Sequence, residues 1–450
     1  AAVAVALSTR ALAVAGAATA AANDEVAARE PPAPRVAIVG AGIAGTATAW
    51  FLRDQGFDVT LYEANRVGGR VREARYPDDH PVMLEAGGAS IHTLNEYMAH
   101  FIDVLGLHRD TESFSQRLRP TQGRLLGALG AGSGGAASWD GNRLTRISPA
   151  SFPLSFVKAR MLVTDITRKW QQIYGLQAKN VSFLHPDDML ARLGLRDMAA
   201  ISGRELLKDK VDAGFIAQFV DGVSRVNYGQ DSSLNAFAEA ISLAGAGLVG
   251  DTFGVREGNS KVMVGLLGAS GAKLRKASVT AIREVARGYA VCVAGDCIDY
   301  SYVVVAAPLE VANIKLDESL RPTQPPRAYQ TTVATFIAAS GLNPKYFGAE
   351  ETVDADTVMT KAGVGVPFNS VAVHGQAAGN KVYKLFSESV PPAELLDSMF
   401  VNRTEGQAQF DWKAYPVLRP AARGQERSMW PSFELHSGDH GALYYVYAME

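Results

Sequence analysis

The sequence predicts an α/β fold in which a Rossmann-like dinucleotide-binding domain is interleaved with a second, α+β domain. An apolar strand, a glycine turn, a helix and another strand follow one another over residues 35–63. Apolar residues then recur at helical spacing over 152–207, and most of them are expected to pack in the core: Leu154, Val157, Met161, Ile166, Trp170 and Ile173. The alternation typical of strands returns at 277–282. The nucleotide-binding domain is therefore assigned to 31–110, 255–310 and 441–450, and the second domain to 111–254 and 311–440.

The first strand ends in the turn Gly-Ala-Gly-Ile-Ala-Gly. Gly40 permits the tight turn, Gly42 lets the backbone approach a pyrophosphate, and Gly45 lets the helix pack closely on the strand. The helix is predicted to begin at Ile43 and Ala44, so that its first amides point at the phosphates, where the helix dipole favours negative charge. This pattern predicts dinucleotide binding.

An acidic residue ends the second strand. Glu63, followed by Ala64, lies close to the spacing of about 20 residues at which such a carboxylate binds a ribose hydroxyl. A βαβ unit without a ligand is the alternative, but it gives no reason for the three glycines and the acid to occur together.

The next motif distinguishes between the dinucleotides. Val67-Gly68-Gly69-Arg70 resembles the second signature of the flavoproteins that include amine oxidases and phytoene desaturases. The resemblance implies that Gly69 and Arg70 run beside the FAD pyrophosphate, where an arginine offers a planar fork to phosphate oxygens. FAD is therefore the predicted cofactor. The alternative for Arg70 is a solvated side chain in a glycine turn.

Four further strings narrow the resemblance to one family. They are L-E-A-G-G-A-S-I-H at 84–92, R-V-N-Y-G-Q at 225–230, L-N-A-F at 234–237 and W-K-A-Y-P-V-L at 412–418. With these strings, the chain from residue 35 to its end resembles the prenylcysteine oxidase family, which includes plant farnesylcysteine lyases. The family implies a two-domain fold of the glutathione-reductase and amine-oxidase kind.

The same resemblance implies a reaction. The flavin accepts hydride from the carbon next to sulfur in a prenyl thioether, and the protein orients the substrate and excludes water. Water then adds, the hemithioacetal collapses to cysteine and a prenyl aldehyde, and O2 is reduced to hydrogen peroxide. The expected partners are O2 and a small amphiphilic thioether, farnesylcysteine or geranylgeranylcysteine. Two alternatives stay open: a flavin amine oxidase, and a flavin-binding protein without turnover.

The resemblance also assigns residues to the flavin site. It places the loop formed by Gly87, Gly88, Ala89 and Ser90 near the flavin. It further places the backbone of Val279, in the strand predicted over 277–282, against the adenine.

Two residues are candidates for catalysis, although the flavin performs the hydride chemistry. His92 follows the glycine loop, and histidine titrates in the range that suits proton handling at mildly acidic pH. A histidine that only shapes this loop is an equal alternative. Tyr228, with Asn227 beside it, is expected to line the substrate tunnel or to orient a water. Hydrogen bonding to buried backbone groups is the alternative for both.

Composition argues against several other classes of protein. The net charge is −2 and the lysines and arginines are scattered, so no basic stripe for nucleic acid is present. The apolar runs after residue 30 are strand-sized, which predicts no transmembrane anchor, although peripheral membrane contact suits an amphiphilic substrate. Two cysteines are too few for a zinc site, so no metal is expected. The oligomeric state does not follow from the sequence.

Residues 1–30 differ from the rest of the chain because they are mostly alanine and valine. They resemble a secretory signal with a small-residue cleavage site, and a plastid or mitochondrial transit segment is the alternative. The sequons at Asn180 and Asn402 agree with the secretory route. By family resemblance, the expected location is lysosomal or vacuolar.

Cys292 and Cys297 flank Ala294-Gly295, a pair that suits a two-residue hairpin turn. They are therefore expected to face each other, and two buried thiols are favoured over a local disulfide. The glycine-rich stretch 126–142 is predicted to be a flexible surface loop.

Family members continue past the position of Glu450 into another flavin-contacting loop and a helix that caps the isoalloxazine ring. The sequence is therefore expected to come from an incomplete gene model or to be a fragment, and a naturally shortened protein is the alternative. Whether this chain retains FAD becomes a question for experiment.

Overall fold

A computed structural model describes residues 33–75, 83–110, 135–377, 379–404 and 407–447. The predicted leader 1–30, residues 126–134 of the predicted loop and the last three residues lie outside these ranges. Within them, no helix is both long enough and apolar enough to cross a membrane.

The helices of these ranges are numbered along the chain. They are α1 (Ile43–Leu52), α2 (Glu96–Val104), α3 (Pro153–Ala178), α4 (Pro186–Arg192), α5 (Arg196–Ala199), α6 (Gly203–Leu207), α7 (Ala213–Phe215), α8 (Asp221–Tyr228), α9 (Ala236–Leu243), α10 (Ser260–Ser270), α11 (Leu309–Ala312) and α12 (Ala393–Met399). π-Helical turns at Ile216–Val220 and Ala244–Leu248 extend α7 and α9.

The strands are numbered in the same way. They are β1 (Arg35–Val39), β2 (Asp58–Glu63), β3 (Glu73–Arg75), β4 (Met83–Glu85), β5 (Ile91–His92), β6 (Arg109–Asp110), β7 (Ala136–Trp139), β8 (Leu144–Arg146), β9 (Thr252–Val255), β10 (Lys273–Lys276), β11 (Ala281–Val285), β12 (Gly288–Val293), β13 (Asp296–Tyr300), β14 (Tyr302–Val305), β15 (Lys315–Leu316), β16 (Tyr329–Ala339), β17 (Gly341–Leu342), β18 (Thr357–Thr360), β19 (Ser370–Ala377), β20 (Asn380–Ser387), β21 (Phe400–Val401), β22 (Gln407–Pro416), β23 (Glu434–Gly438) and β24 (Gly441–Tyr445).

A six-stranded sheet in the order β10-β2-β1-β14-β24-β23 forms the core of the first domain. Its central strand β1 is apolar throughout its buried part because both faces are covered. Val36 and Ile38 pack toward α1, whereas Ala37 and Val39 pack toward the four-stranded sheet β13-β12-β11-β15. The predicted α/β fold with a Rossmann-like unit is therefore confirmed.

The six-stranded sheet draws strands from three separate parts of the chain. β23 pairs antiparallel with β24 at its edge, although the sequence-based division left 434–438 in the second domain. A short antiparallel edge strand carries no helical or apolar signature strong enough to reveal this from sequence.

A seven-stranded sheet in the order β22-β16-β20-β19-β18-β7-β8 forms the second domain with helices α3 to α9. β7 is fully buried and pairs in parallel with β18. The prediction of a surface loop over the whole of 126–142 is therefore wrong for Ala136–Trp139. Small residues before Trp139 hid a strand, because alanine and serine have little β-propensity of their own.

Helix α3 buries only some of the apolar residues that its sequence spacing places on one face. Ile166 and Ile173 are buried as the spacing suggests, but the side chains of Leu154, Val157 and Met161 are 71%, 57% and 69% exposed. Core packing is therefore wrong for these three residues, since the first half of the helix buries the neighbouring face through Phe156, Ala159 and Val163.

The cysteine hairpin forms as predicted but its chemistry differs. Ala294 and Gly295 make the turn between β12 and β13, both with positive φ, and Cys292 lies opposite Cys297. The two cysteines form a disulfide. The expectation of two thiols is therefore wrong, and the expected burial holds for Cys292 but not for Cys297, which is exposed. The strand predicted over 277–282 is shifted as well, because β11 begins only at Ala281.

Candidate functional site

One cavity of about 1410 Å³ runs between the two domains. Its wall begins at the glycine turn after β1 and continues past the loop after β4. It ends among α3, α8 and the strands of the seven-stranded sheet, where Trp170, Tyr228 and Trp412 line it. The nucleotide turn and the second domain thus share one continuous space.

The glycine turn is shaped by close contacts. A Cβ on Gly40, whose φ is +107°, would lie 2.6 Å from the backbone oxygen of Ala306. A Cβ on Gly45 would lie 1.9 Å from the backbone oxygen of Gly40. A Cβ on Gly42 would meet nothing within 4 Å, and Gly42 lines the cavity. Gly40 and Gly45 let backbone segments approach each other closely, whereas Gly42 opens onto the cavity.

Glu63 holds this turn while it lines the cavity. One carboxylate oxygen accepts a 2.8 Å hydrogen bond from the backbone N–H of Ala41, and the other accepts one of 2.8 Å from Asn65. A carboxylate at this place is the feature that binds ribose hydroxyls in dinucleotide folds. In this chain it also fixes the glycine turn.

The loop after β4 packs against the segment that contains Arg70. Gly88 donates its backbone N–H to the backbone oxygen of Arg70, and a Cβ on Gly87 would lie 1.9 Å from that oxygen. Asn259 is buried and donates to the backbone oxygens of Gly88 and Ala89 at 2.9 and 3.0 Å. Sequence reasoning gave no role to Asn259, although it holds this loop in place.

Arg70 lines the cavity but its guanidinium is engaged by the protein. It donates to the backbone oxygen of Ala414 and to the hydroxyl of Tyr447. Its charge also lies 5.8 and 5.2 Å from the ring centres of Tyr415 and Tyr447. The arginine therefore joins the first domain to the strand β22 and to the end of the described chain.

The predicted cofactor residues divide into two groups. Those that line the cavity are Gly40, Gly42, Ile43, Glu63, Gly69, Arg70, Gly87, Gly88, Ala89 and Ser90. Those that do not are Ala44, Gly45, Ala64 and Val279. Gly45 supports the turn from behind, and Val279 is buried in the core between the two sheets of the first domain.

The ring of His92 is bonded on both sides to backbone. Nδ1 accepts from the N–H of Leu94 at 3.1 Å, which leaves Nε2 to donate to the backbone oxygen of Val249 at 2.7 Å. A Cβ on Gly250 would lie 2.7 Å from the ring. Although His92 borders the cavity, this arrangement fits the loop-shaping role better than proton transfer.

The first four residues of the R-V-N-Y-G-Q string form the end of α8, and residues 225–229 line the cavity. The ring of Tyr228 packs edge-on against Tyr415 at 4.8 Å between centres. Asn227 donates to the backbone oxygen and to the hydroxyl of Ser242 at 3.1 and 3.0 Å. Aromatic surface and a tethered amide therefore meet on the same wall.

Lys384 is a cavity residue that sequence reasoning missed. It is 2% exposed, and its Nζ lies 4.5 and 5.9 Å from the ring centres of Phe386 and Phe336. Burial lowers the pKa of Lys384 to about 7, an effect that the nearby Glu85 opposes. The available signal was a lysine flanked on both sides by apolar residues at 382–386 of β20, since buried lysines are rare.

Glu239 is a second buried ionisable group that the sequence did not reveal. It is fully buried on α9, and one carboxyl oxygen accepts a 2.8 Å hydrogen bond from Ser224. Burial raises the pKa of Glu239 to about 8, so the carboxyl is protonated at neutral and acidic pH. The hydroxyl of Ser224 also lies 3.4 Å from that of Ser242, which lines the cavity.

Solved structures of other proteins have the same fold as this chain. A cyclohexylamine oxidase from Brevibacterium oxydans superposes with a TM-score of 0.59 at 16% identity, over 92% of this chain and 93% of its own. A putrescine oxidase variant gives a TM-score of 0.56 at 17% identity, over 92% of each chain. A Rossmann-like NAD(P)-binding domain model matches residues 38–105. The chain thus shares its fold with these two oxidases.

The family follows from the sequence itself. The prenylcysteine lyase model matches residues 150–450, and the chain belongs to that family. It is 29% identical to prenylcysteine oxidase 1 of Homo sapiens, over 94% of this chain and 85% of the human one. It is 27% identical to the farnesylcysteine lyase of Arabidopsis thaliana, over 92% of this chain and 83% of the plant one.

Proposed function

We propose that this protein is an FAD-dependent thioether oxidase that cleaves prenylcysteine, released when prenylated proteins are degraded. The products are cysteine, the prenyl aldehyde and hydrogen peroxide. One observation carries the proposal: a single cavity of about 1410 Å³ joins the dinucleotide turn to a wall rich in aromatic side chains. Family membership supports the substrate class, and the volume exceeds the range of about 300–1,000 Å³ of ordinary ligand pockets.

The residues at the turn fit FAD. Gly42 opens onto the cavity, and a Cβ on Gly42 would meet no atom within 4 Å. Gly69 faces Gly42, since a Cβ on Gly69 would lie 3.6 Å from the Cα of Gly42. Two glycine segments that face each other leave room for a pyrophosphate between them. The amides of α1 begin at this point and favour a negative ligand. Glu63 supplies the carboxylate for the ribose.

The cofactor supplies a hydride acceptor for the carbon next to sulfur. The chain's own residues supply binding and orientation. Trp170, Trp412, Tyr228 and Tyr415 offer aromatic surface on which a prenyl chain can pack. Asn227 is held by Ser242 and can orient the water that attacks the oxidised carbon.

Lys384 adds a charge that depends on pH. Because the pKa of Lys384 is about 7, this side chain can hold or release a proton at the cavity wall near neutral pH. The reaction releases one proton when water adds and consumes one when O2 becomes hydrogen peroxide. A buried amine with such a pKa suits that exchange.

We propose a secretory location, lysosomal or vacuolar. Two features support it. Asn180 and Asn402, the sequon asparagines, are exposed. The Cys292–Cys297 disulfide agrees with an oxidising compartment, because disulfides are rare in the cytosol.

Turnover of defined substrates tests the proposal. Purified protein is supplied in air with S-farnesylcysteine, with S-geranylgeranylcysteine, with S-methylcysteine or with putrescine, and peroxide and aldehyde are measured. The proposal predicts peroxide and an equal amount of prenyl aldehyde from a prenylcysteine only. Peroxide from putrescine alone would show an amine oxidase instead.

A further inference from the structure

Arg225, the first residue of the R-V-N-Y-G-Q string, lies on the cavity wall with an unusual set of partners. Its Nε donates to the hydroxyl of Thr360 at 2.9 Å, and its Nη2 lies 3.4 Å from the backbone oxygen of Phe368. Both acceptors are neutral. The guanidinium is therefore fixed in direction without being neutralised.

No carboxylate in the described part of the chain forms an ion pair with Arg225. The acidic residues that raise its pKa are Glu388, Asp231 and Asp221, in order of decreasing effect, and they act through charge alone. Asp221 is itself paired with Arg204. Burial lowers the pKa of Arg225, yet an arginine keeps its charge in proteins.

Thr360 makes this position rigid. It is completely buried, and its hydroxyl lies 3.1 and 3.0 Å from the backbone oxygens of Phe368 and Asn369. The hydroxyl thus donates to backbone and accepts from Arg225. Thr360, at the end of β18, therefore sets the orientation of the Arg225 guanidinium on α8. No described carboxylate forms an ion pair that would contribute to this orientation.

A half-buried guanidinium on a cavity wall, with no ion pair to a described carboxylate, can bind an anion. The glycine turn that suits a pyrophosphate belongs to the first domain, whereas Arg225 belongs to the wall made by α8 and the seven-stranded sheet. The anion at Arg225 is therefore a different group from the pyrophosphate. In an amino-acid thioether, the only anion is the α-carboxylate.

We propose that Arg225 binds the α-carboxylate of the substrate, and that Thr360 positions it. The proposal rests on the proposed function and adds the form of the substrate: a free amino acid rather than a carboxyl-methylated one. A precursor that is esterified at this carboxyl would therefore need ester hydrolysis before this enzyme could bind it. The aromatic side chains of the cavity hold the prenyl chain of the substrate, and Arg225 holds its α-carboxylate.

The test compares S-farnesylcysteine with its methyl ester, which keeps the amine and the thioether but has no carboxylate. For the wild-type protein we expect a clear preference for the free acid in kcat/KM. Arg225→Gln should lower kcat/KM for the acid by roughly 10- to 100-fold, mainly through KM, while the ester changes little. Arg225→Lys keeps the positive charge but lacks the planar guanidinium, so its kcat/KM for the acid should lie between those of the wild type and Arg225→Gln.

Binding gives a second readout that does not depend on turnover. The flavin is first reduced with dithionite without oxygen, so that it can accept no hydride from the substrate. Each substrate is then titrated against the fluorescence of Trp412 and its neighbours, and bound FAD is measured in each variant. Arg225→Gln should weaken binding of the acid and leave FAD content at the wild-type level. Thr360→Val should weaken acid binding in the same direction, because the guanidinium loses its anchor. Arg168→Gln is the matched control, since that arginine is 75% exposed and pairs with Asp165 on the surface.

The outcomes separate the two proposals. Equal losses for acid and ester in Arg225→Gln, or loss of FAD, would overturn the carboxylate assignment and leave the oxidase proposal standing. Failure of wild-type protein to oxidise either compound would end the oxidase proposal, and the fluorescence titration would still decide whether Arg225 selects the carboxylate.

Discussion

The Nζ of Lys384 donates a 2.8 Å hydrogen bond to the backbone oxygen of Glu85, and this bond joins the middle of the seven-stranded sheet to the glycine loop of the first domain. A charged group is thereby placed inside the interface between the two domains. The same lysine lines the cavity, so its ionisation links stability to the site.

Lys384→Met should change how stability depends on pH. Between about pH 7 and 10.5 the unfolded chain binds a proton at this lysine that the folded protein does not, so the wild-type free energy of unfolding rises with pH there. The variant lacks this rise. Below pH 7 its free energy of unfolding should exceed that of the wild type by on the order of a few kcal/mol, and this difference should shrink toward pH 10. Denaturant unfolding at several pH values measures this. An equal difference at every pH would contradict the buried, perturbed amine.

Glu239→Gln should have the opposite pH signature. A carboxyl whose pKa is raised to about 8 binds a proton in the folded state that the unfolded state releases above about pH 4.5. Wild-type stability therefore falls as pH rises from about 4.5 to 8. The glutamine variant should lack this fall and should be more stable at pH 8. Glu394→Gln, an exposed glutamate on α12, is the control and should follow wild type.

Three glycine variants should separate folding from cofactor binding. Gly45→Ala and Gly40→Ala force a Cβ against backbone at 1.9 and 2.6 Å, and they should lose both stability and flavin. Gly42→Ala meets no protein atom within 4 Å, so it should fold normally and lose flavin alone. Thermal melts and flavin absorbance measure the two effects. A stable Gly42→Ala protein with full flavin content would argue against a pyrophosphate at this turn.

His92→Gln should reduce activity without changing its pH profile. The ring bonds only backbone groups of Leu94 and Val249, so its loss loosens the loop rather than removing a proton donor. We expect a fall in kcat/KM of about 10-fold or less, with lower thermal stability. Loss of one limb of the pH profile in this variant would instead support His92 as the acid or base.

Sequence reasoning was most effective where backbone geometry restricts residue choice. The turn at Gly40 and the hairpin at Ala294-Gly295 need special backbone conformations, and the structure shows them at the predicted positions. The family strings located the wall that contains Tyr228. These features are local, so they are readable in a single sequence.

The remaining features depend on tertiary packing between distant parts of the chain. Lys384 and Glu239 are ordinary charged residues until the fold buries them. The apolar spacing of Leu154, Val157 and Met161 suggested core, yet another face of α3 is buried. Ala136–Trp139 became a strand only because β18 lies beside it. None of these outcomes is encoded within a short window of sequence.

Visible absorption of the purified protein, recorded before and after S-farnesylcysteine is added without oxygen, shows whether a bound flavin oxidises the thioether. We expect oxidised-flavin bands that bleach with the thioether and return when air is admitted. Flavin bands that persist unchanged with farnesylcysteine and with geranylgeranylcysteine would contradict thioether oxidation by this protein.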